Sequence, residues 1–325
     1  MSNLIKLDGS NLSIVIQGSL SSKEETIEII KSYRAILPRS EIIISTWPDF
    51  KSLVPKNEIV VISEDPGPID VSEVGGRINN NFNRQLISSK RGIAISSSTF
   101  VLKVRSDLAA IDNSIFKKYN EVIISSEKIN KSYFKDKPLL VISNESSKKP
   151  GLFKGYLHFC DWFMLSKTKE ISKIFNMNIV EKEDLLFREY EEIPRIYDEL
   201  KLPKEKWSAE TYMWTNYLRN YNDFKMLNEF DNSDTLKKVH DNFVADNLVI
   251  LDYKKSGLGI LKNVYQDRLF FKYNYEYSYD DWLLLSSRIE LSHLKRLILS
   301  CKVFFVDRLK LTYSKYVKIR RFFRL

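Results

Sequence analysis

The sequence predicts a mixed α/β fold, a mostly parallel sheet covered by helices on both faces, followed by a helical extension. Three observations carry the prediction. Short apolar runs alternate with helical stretches through the first third of the chain. Those runs are unbroken and rich in Ile and Val, as strands buried on both faces are. Third, the charge is lopsided. The 325 residues include 51 Lys and Arg against 42 Asp and Glu, a net charge of +9. Residues 291–325 hold ten basic residues and one acidic residue, Asp307, which leaves 41 of each sign in residues 1–290.

The elements follow in order. Leu12–Ile16 is a compact apolar strand ending at Gln17-Gly18. Ser22–Leu37 reads as a helix, closed by Pro38. Glu41–Trp47 (EIIISTW) and Glu58–Ser63 (EIVVIS) are the next strands, and Asp65-Pro66-Gly67-Pro68 is a turn. Asn80–Ser96 reads as a second helix, and Phe100–Arg105 (FVLKVR) as a strand closing on Ser106-Asp107. Further on, Pro138–Ser143 and Tyr156–Leu165 read as strands, Lys167–Phe175 as a helix, and Glu181–Lys206 as a charge-rich helix with loops. Ser208 suits the N-cap of a helix over Glu210–Arg219. Asn247–Tyr253 is a short strand, and after Asp280 the chain reads as helical almost to its end. Without repeats or low-complexity linkers, one domain spans residues 1–280 and a helical extension spans 281–325.

Composition excludes several classes. Hydrophobic residues at 43% and aromatics at 13% rule out global disorder. A neutral body lacks the basic face that nucleic-acid binding needs, so no nucleic-acid partner is expected. Cys160 and Cys301 are too few for a disulfide framework and offer no zinc pattern, which points to a reducing compartment. Lys6 and Asp8 interrupt the N-terminal apolar stretch, so it does not read as a signal peptide. No charge-free apolar run approaches a membrane span. The expected place is the cytoplasm. There is no Walker lysine, no Gly-x-Gly-x-x-Gly and no Gly-x-Ser-x-Gly.

Four constellations have chemical potential. Ligands on such sheets collect at the carboxyl ends of the strands, which here are Gln17-Gly18, Thr46-Trp47, Glu64-Asp65 and Arg105-Asp107. Asp107 at a strand end can hold a divalent ion, Arg105 can fork onto a phosphate, and the plain alternative is an Asp that caps the next turn. Asn79 to Gln85 opens a helix, where free N–H groups favour anions, although one Asn there is explained by capping. His158-Phe159-Cys160-Asp161-Trp162, read as strand, puts His158 and Cys160 on one side and Asp161 on the other. A general acid or base can come from it, but a satisfied core histidine is the commoner case. Glu210 lies in the first turn of an aromatic helix, suited to catalytic base or simply to the helix dipole.

The tail carries one stripe: Leu294, Ile298, Cys301, Phe305, Leu309, Thr312, Tyr316, Ile319 and Phe323, at helical spacing and free of basic residues. It reads as an interfacial helix for an anionic inner-membrane surface, using residues 291–325, or as a face packed on the body or a second subunit.

Ser13–Gly18, Ile44–Trp47, Ser63–Gly67, Asn83–Gln85 and Lys103–Asp107, in this order, resemble the WavE lipopolysaccharide-synthesis family of bacterial glycosyltransferases. His158–Trp162 and Ala209–Tyr212 look like that family's later blocks, so the resemblance runs from about Leu12 to Lys262. It implies a GT-A-like fold and a nucleotide-sugar donor. The sugar would pass to a lipid-linked or cell-surface glycan acceptor, in lipopolysaccharide, O-antigen or capsule synthesis. Under it, Gln17, Gly18, Asp65 and Gly67 line the nucleotide pocket, and Asn83, Arg84 and Arg105 face the donor. Asp107 binds a metal or the sugar. Glu210 is the expected base of an inverting reaction, with Asp161 second and His158 in support. An Asp-x-Asp element would bind Mn²⁺ or Mg²⁺, and this sequence offers only Asp107 there. A non-catalytic membrane-peripheral scaffold or nucleotide-binding module on the same sheet is the alternative.

Overall fold

A computed structural model describes residues 7–71, 80–125, 139–142, 146–148, 155–187, 206–221, 223–228, 231–260, 276–286 and 292–322. The order is β1 (Leu12–Gln17), α1 (Lys23–Ile36), β2 (Glu41–Thr46), β3 (Ile59–Ile62), α2 (Phe82–Ala94), β4 (Phe100–Arg105), β5 (Leu108–Ala110) and α3 (Ser114–Ser125). Then come β6 (Leu139–Ile142), β7 (Phe163–Lys167), α4 (Thr168–Ile174), α5 (Lys182–Leu185), α6 (Ala209–Arg219), α7 (Asp234–Asn247), β8 (Leu248–Leu251), β9 (Leu258–Ile260), α8 (Tyr279–Leu285) and α9 (His293–Phe322).

Seven strands form the central sheet in the order β3-β2-β1-β4-β7-β6-β8. The β1–β2, β1–β4, β2–β3 and β6–β8 pairs are parallel. Only β7 runs against its neighbours β4 and β6. A separate pair, β5 with β9, is antiparallel. The mostly parallel sheet flanked by helices is therefore as expected. β1 is buried at every position, whereas the edge strand β3 is partly exposed.

Helices cover both faces. On β4, Phe100 meets the Tyr119 ring of α3 edge-on at 6.4 Å, while Lys103, of opposite parity, faces Phe175 just after α4. On that second face α2 lies close against β1 and β2. Gly92 permits this, since a Cβ there would meet Val15 Cγ1 at 2.4 Å and Ser45 Cβ at 3.0 Å. The core continues through Trp214 and Trp282, both fully buried. Trp282 of α8 donates from Nε1 to the Leu248 carbonyl at 2.6 Å, tying α8 to the sheet.

Three expectations are corrected. Tyr156–Leu165 is not one strand. It becomes strand only at Phe163, because Leu157 takes a left-handed φ of 59° and the backbone from Leu157 to Trp162 is bonded irregularly. Cys160 N–H donates to Ser146 Oγ, and Trp162 C=O accepts from Arg105 N–H. The last stretch is not one helix, since Ser286 is extended and ends α8 before α9 begins at His293. Within Glu181–Lys206 the described residues contain one helical turn, α5, and residues 188–205 lie outside the described set. The helices α3 and α7 were not anticipated.

The described side chains of α9 meet the body at two polar contacts. Lys302 Nζ reaches Asp280 Oδ2 at 2.6 Å, and Arg296 Nη1 donates to the Leu284 carbonyl. On the stripe, Leu294 is 68%, Ile298 60% and Phe305 64% exposed. At its described positions the stripe is thus not packed on the protein's own body. Among the described residues no helix is long and apolar enough to cross a membrane.

Candidate functional site

Strand order reverses between β1 and β4: the chain winds outward through β2 and β3, then returns to the far side of β1. Such a reversal opens a crevice at the carboxyl ends of the two strands. Here those ends are Gln17-Gly18 and Arg105-Ser106, paired in register at Gln17 and Arg105. Because β7 runs the other way, the segment leading into it, His158–Trp162, arrives at the same edge.

The floor is built by β1. Gln17 is buried and its Oε1 accepts from Ser88 Oγ of α2 at 2.6 Å. Gly18 has a φ of +108°, which a side chain would resist. Its N–H donates to the Ser45 carbonyl at 3.0 Å, and its carbonyl accepts from Thr46 Oγ1 at 2.8 Å. Ser106 Oγ donates to the Ser19 carbonyl at 2.6 Å, so the two strand ends are laced together.

The rim is built by β4. Arg105 forks onto Asp107, with Nε–Oδ1 at 3.0 Å and Nη2–Oδ2 at 2.6 Å. The guanidinium carbon lies 4.5 Å from the Trp162 ring centroid, a cation–π contact. Burial pulls the Arg105 pKa down, but Asp107 and Asp161 outweigh it and hold the group above its usual value. Two strand positions earlier, Lys103 is fully buried. Its Nζ donates to the Asp161 carbonyl and lies 3.7 Å from Asp161 Oδ2. Burial lowers the Lys103 pKa, and Asp161 opposes the shift. Gln85 of α2 donates to Asp161 Oδ2 from the other side.

The third wall is α6. Ser208 caps it and accepts from Thr211 N–H at 3.3 Å. His158 Nδ1 lies 3.0 Å from Ser208 Oγ and 3.2 Å from Thr211 Oγ1. The imidazole therefore braces the first turn of α6, where Glu210 sits half-buried. Tyr212 meets the Phe82 ring at 5.6 Å edge-on, joining the starts of α6 and α2. Trp214 Nε1 donates to the Phe159 carbonyl at 3.2 Å.

Of the residues expected from the sequence, Gln17, Gly18, Arg105, Asp107, His158, Asp161 and Glu210 lie on elements linked through His158–Trp162. Four others are engaged elsewhere. Asp65 and Arg84 form a bidentate pair, Nε–Oδ1 at 2.7 Å and Nη2–Oδ2 at 2.6 Å. Gly67 donates its N–H back to Asp65 Oδ1 at 3.0 Å. Asn83 is buried and locks the chain at Val180, donating to its carbonyl at 2.8 Å and accepting from its N–H at 2.9 Å.

Two structural supports went unremarked in the sequence. Lys103 lies inside the apolar strand β4, and a lysine there needs a partner. His240 is fully buried, stacked on Phe159 at 5.2 Å and 11°. Its Nδ1 accepts from the left-handed Leu157 N–H at 3.1 Å, so the ring proton is on Nε2, 3.0 Å from Tyr277 Oη. Desolvation lowers the His240 pKa to about 3, which keeps the ring neutral.

The metal expectation meets a poor donor set. Both Asp107 oxygens are bonded to Arg105, and among the described residues no three His, Cys, Asp or Glu side chains gather to hold an ion. Among the described residues, the donor set at Asp107 does not fit a resident Mn²⁺ or Mg²⁺.

The family model for WavE lipopolysaccharide synthesis matches residues 12–316, well into α9 and beyond the Lys262 limit seen in the motifs. No curated protein matches the chain. Among solved structures, the catalytic domain of Drosophila β1,4-galactosyltransferase 7 in complex with xylobiose is similar at 11% identity over 50% of this chain, with a TM-score of 0.27. The match spans about half of that domain, 52% of its length.

Proposed function

The chain belongs to the WavE lipopolysaccharide synthesis family, and from that premise we propose that it is a glycosyltransferase acting at the β1/β4 crevice. The donor is a nucleotide sugar, and the acceptor a lipid-linked or cell-surface glycan. One observation carries the reading. The short segment His158–Trp162 ties together three elements around the crevice: β4 through Arg105 and Lys103, α2 through Gln85, and α6 through Ser208. A scaffold would not need that many charged and polar groups fixed at one sheet edge.

The reaction is a single in-line displacement with inversion. Glu210 takes the proton of an acceptor hydroxyl, whose oxygen bonds to the anomeric carbon. The bond from that carbon to the diphosphate oxygen breaks, and Arg105 offsets the charge left on the departing nucleoside diphosphate. Glu210 suits the base better than Asp161, whose carboxylate is held by Lys103 and Gln85 and is 8% exposed. Asp161 and His158 act as positioning residues. Gln17 and Gly18 would floor the nucleotide pocket, whereas Asp65, Gly67, Asn83 and Arg84 would contribute by shaping its surroundings.

The tail gives the enzyme an address. An exposed Leu, Ile and Phe stripe on a helix with ten basic residues in its stretch suits the cytoplasmic, anionic face of a membrane. The test of function is donor hydrolysis by the full chain across a panel of nucleotide sugars. Turnover of at least one donor is expected, with a fall of about 100-fold or more in Glu210→Gln. Folded protein that turns over no donor, or a Glu210→Gln rate equal to wild type, contradicts the reading of the fold or of the base respectively.

A further inference from the structure

Arg105 and Asp107 are both reachable from solvent, with side chains 30% and 25% exposed, at the reversal of strand order. Asp107 takes two of the five guanidinium N–H groups, those on Nε and one on Nη2. The Nη1–Nη2 edge remains for a second oxyanion. Trp162 fixes the plane of the guanidinium from its face. Arginine forks match phosphate as well as carboxylate, so a group oriented in this way is prepared for a diphosphate.

The same geometry disfavours a cation at Asp107. Its negative charge is already matched by Arg105, and a divalent ion on its oxygens would sit within a few ångströms of the guanidinium charge. Below them, Lys103 adds a further cation to the sheet edge.

We propose that Arg105, oriented by Asp107 and Trp162, is the receptor for the donor's diphosphate, and that the nucleotide binds without a divalent metal. Asp107 is then the orienting counter-ion of Arg105. This rests on the glycosyltransferase reading above and deepens it by naming how the diphosphate is held.

The experiment is calorimetric binding of UDP, GDP, CDP and ADP to the full chain, each with EDTA and with added Mg²⁺ or Mn²⁺. At least one nucleotide should bind with the same affinity in both conditions. Arg105→Gln should weaken it about 10- to 100-fold, the loss of charge-assisted bonds. Asp107→Asn, which keeps one acceptor for Arg105 but loses the second, should still bind in EDTA, with a smaller loss than Arg105→Gln and no gain from added metal. Thermal melts of each variant establish that it is folded. Binding that requires the metal and is lost in Asp107→Asn overturns the proposal and leaves the glycosyltransferase reading standing. Affinity unchanged in Arg105→Gln also overturns it. Folded protein that binds none of the four nucleotides in either condition sinks both.

Discussion

Two lysine–aspartate pairs show how differently this chain uses charge. Lys103 and Asp161 meet inside the sheet edge at 3.7 Å, with side chains 0% and 8% exposed. Lys302 and Asp280 meet at 2.6 Å between α9 and α8, with side chains 57% and 24% exposed. The closer contact is the weaker one. Water screens the outer pair, whereas neither member of the inner pair can lose its partner without leaving a charge in the protein interior. In the body, charge fixes geometry around the crevice. On the tail, the described Lys302–Asp280 pair lies at the surface, within reach of water.

The largest test of this contrast removes the tail. Deleting residues 291–325 should abolish sedimentation with anionic vesicles, because each lost Lys or Arg near the surface is worth about 1 kcal/mol. The melting transition of the body should hardly move, since the described stripe residues Leu294, Ile298 and Phe305 are exposed. Vesicle binding that survives the deletion would remove the membrane address.

A smaller test compares the two lysines directly by urea unfolding. Lys103→Met should cost about 3–5 kcal/mol by stranding Asp161, while Lys302→Met should cost about 0–1 kcal/mol. Equal losses would break the comparison.

The finest test uses pH. His240 titrates near 6.5 when unfolded and at about 3 when folded. Between those values the unfolded chain binds the extra proton, so its contribution to stability is present above about pH 6.5 and is lost as pH falls. The slope is about 1.4 kcal/mol per pH unit from this one group. His240→Gln should flatten the stability profile between about pH 6 and pH 5, above most carboxylate titrations. A slope equal to wild type would mean that the ring is charged in the fold.

The first half of the sheet was legible because its strands are short and rich in β-branched residues, and β1, β2 and β4 are almost wholly buried. Periodicity found it without any knowledge of long-range contacts. The direction of β7 was not legible, since a buried strand looks the same in either orientation. Tyr156–Leu165 misled for a related reason. The run is apolar because it is buried, but its backbone is held by Ser146, Arg105 and His240 rather than by a ladder along its length. α7 escaped notice because His240 and Asn247 interrupt its buried face of Leu236, Phe243 and Val244. In α3 the spacing of Ile115, Phe116, Tyr119 and Val122 was there to be read. At the site, sequence motifs brought Arg105, Asp107, His158, Asp161 and Glu210 to attention. Which charges already have partners depends on the turn after β4 and on the reversed β7, and neither has a local signature.

The central claim is that the β1/β4 crevice holds the nucleotide. A crystal structure of the full chain with a bound nucleoside diphosphate tests it most directly. The account predicts diphosphate density within hydrogen-bonding reach of the Arg105 guanidinium, between the Gln17-Gly18 and Arg105-Ser106 strand ends. A nucleotide ordered on another edge of the sheet, with the Arg105–Asp107 pair untouched, would contradict it.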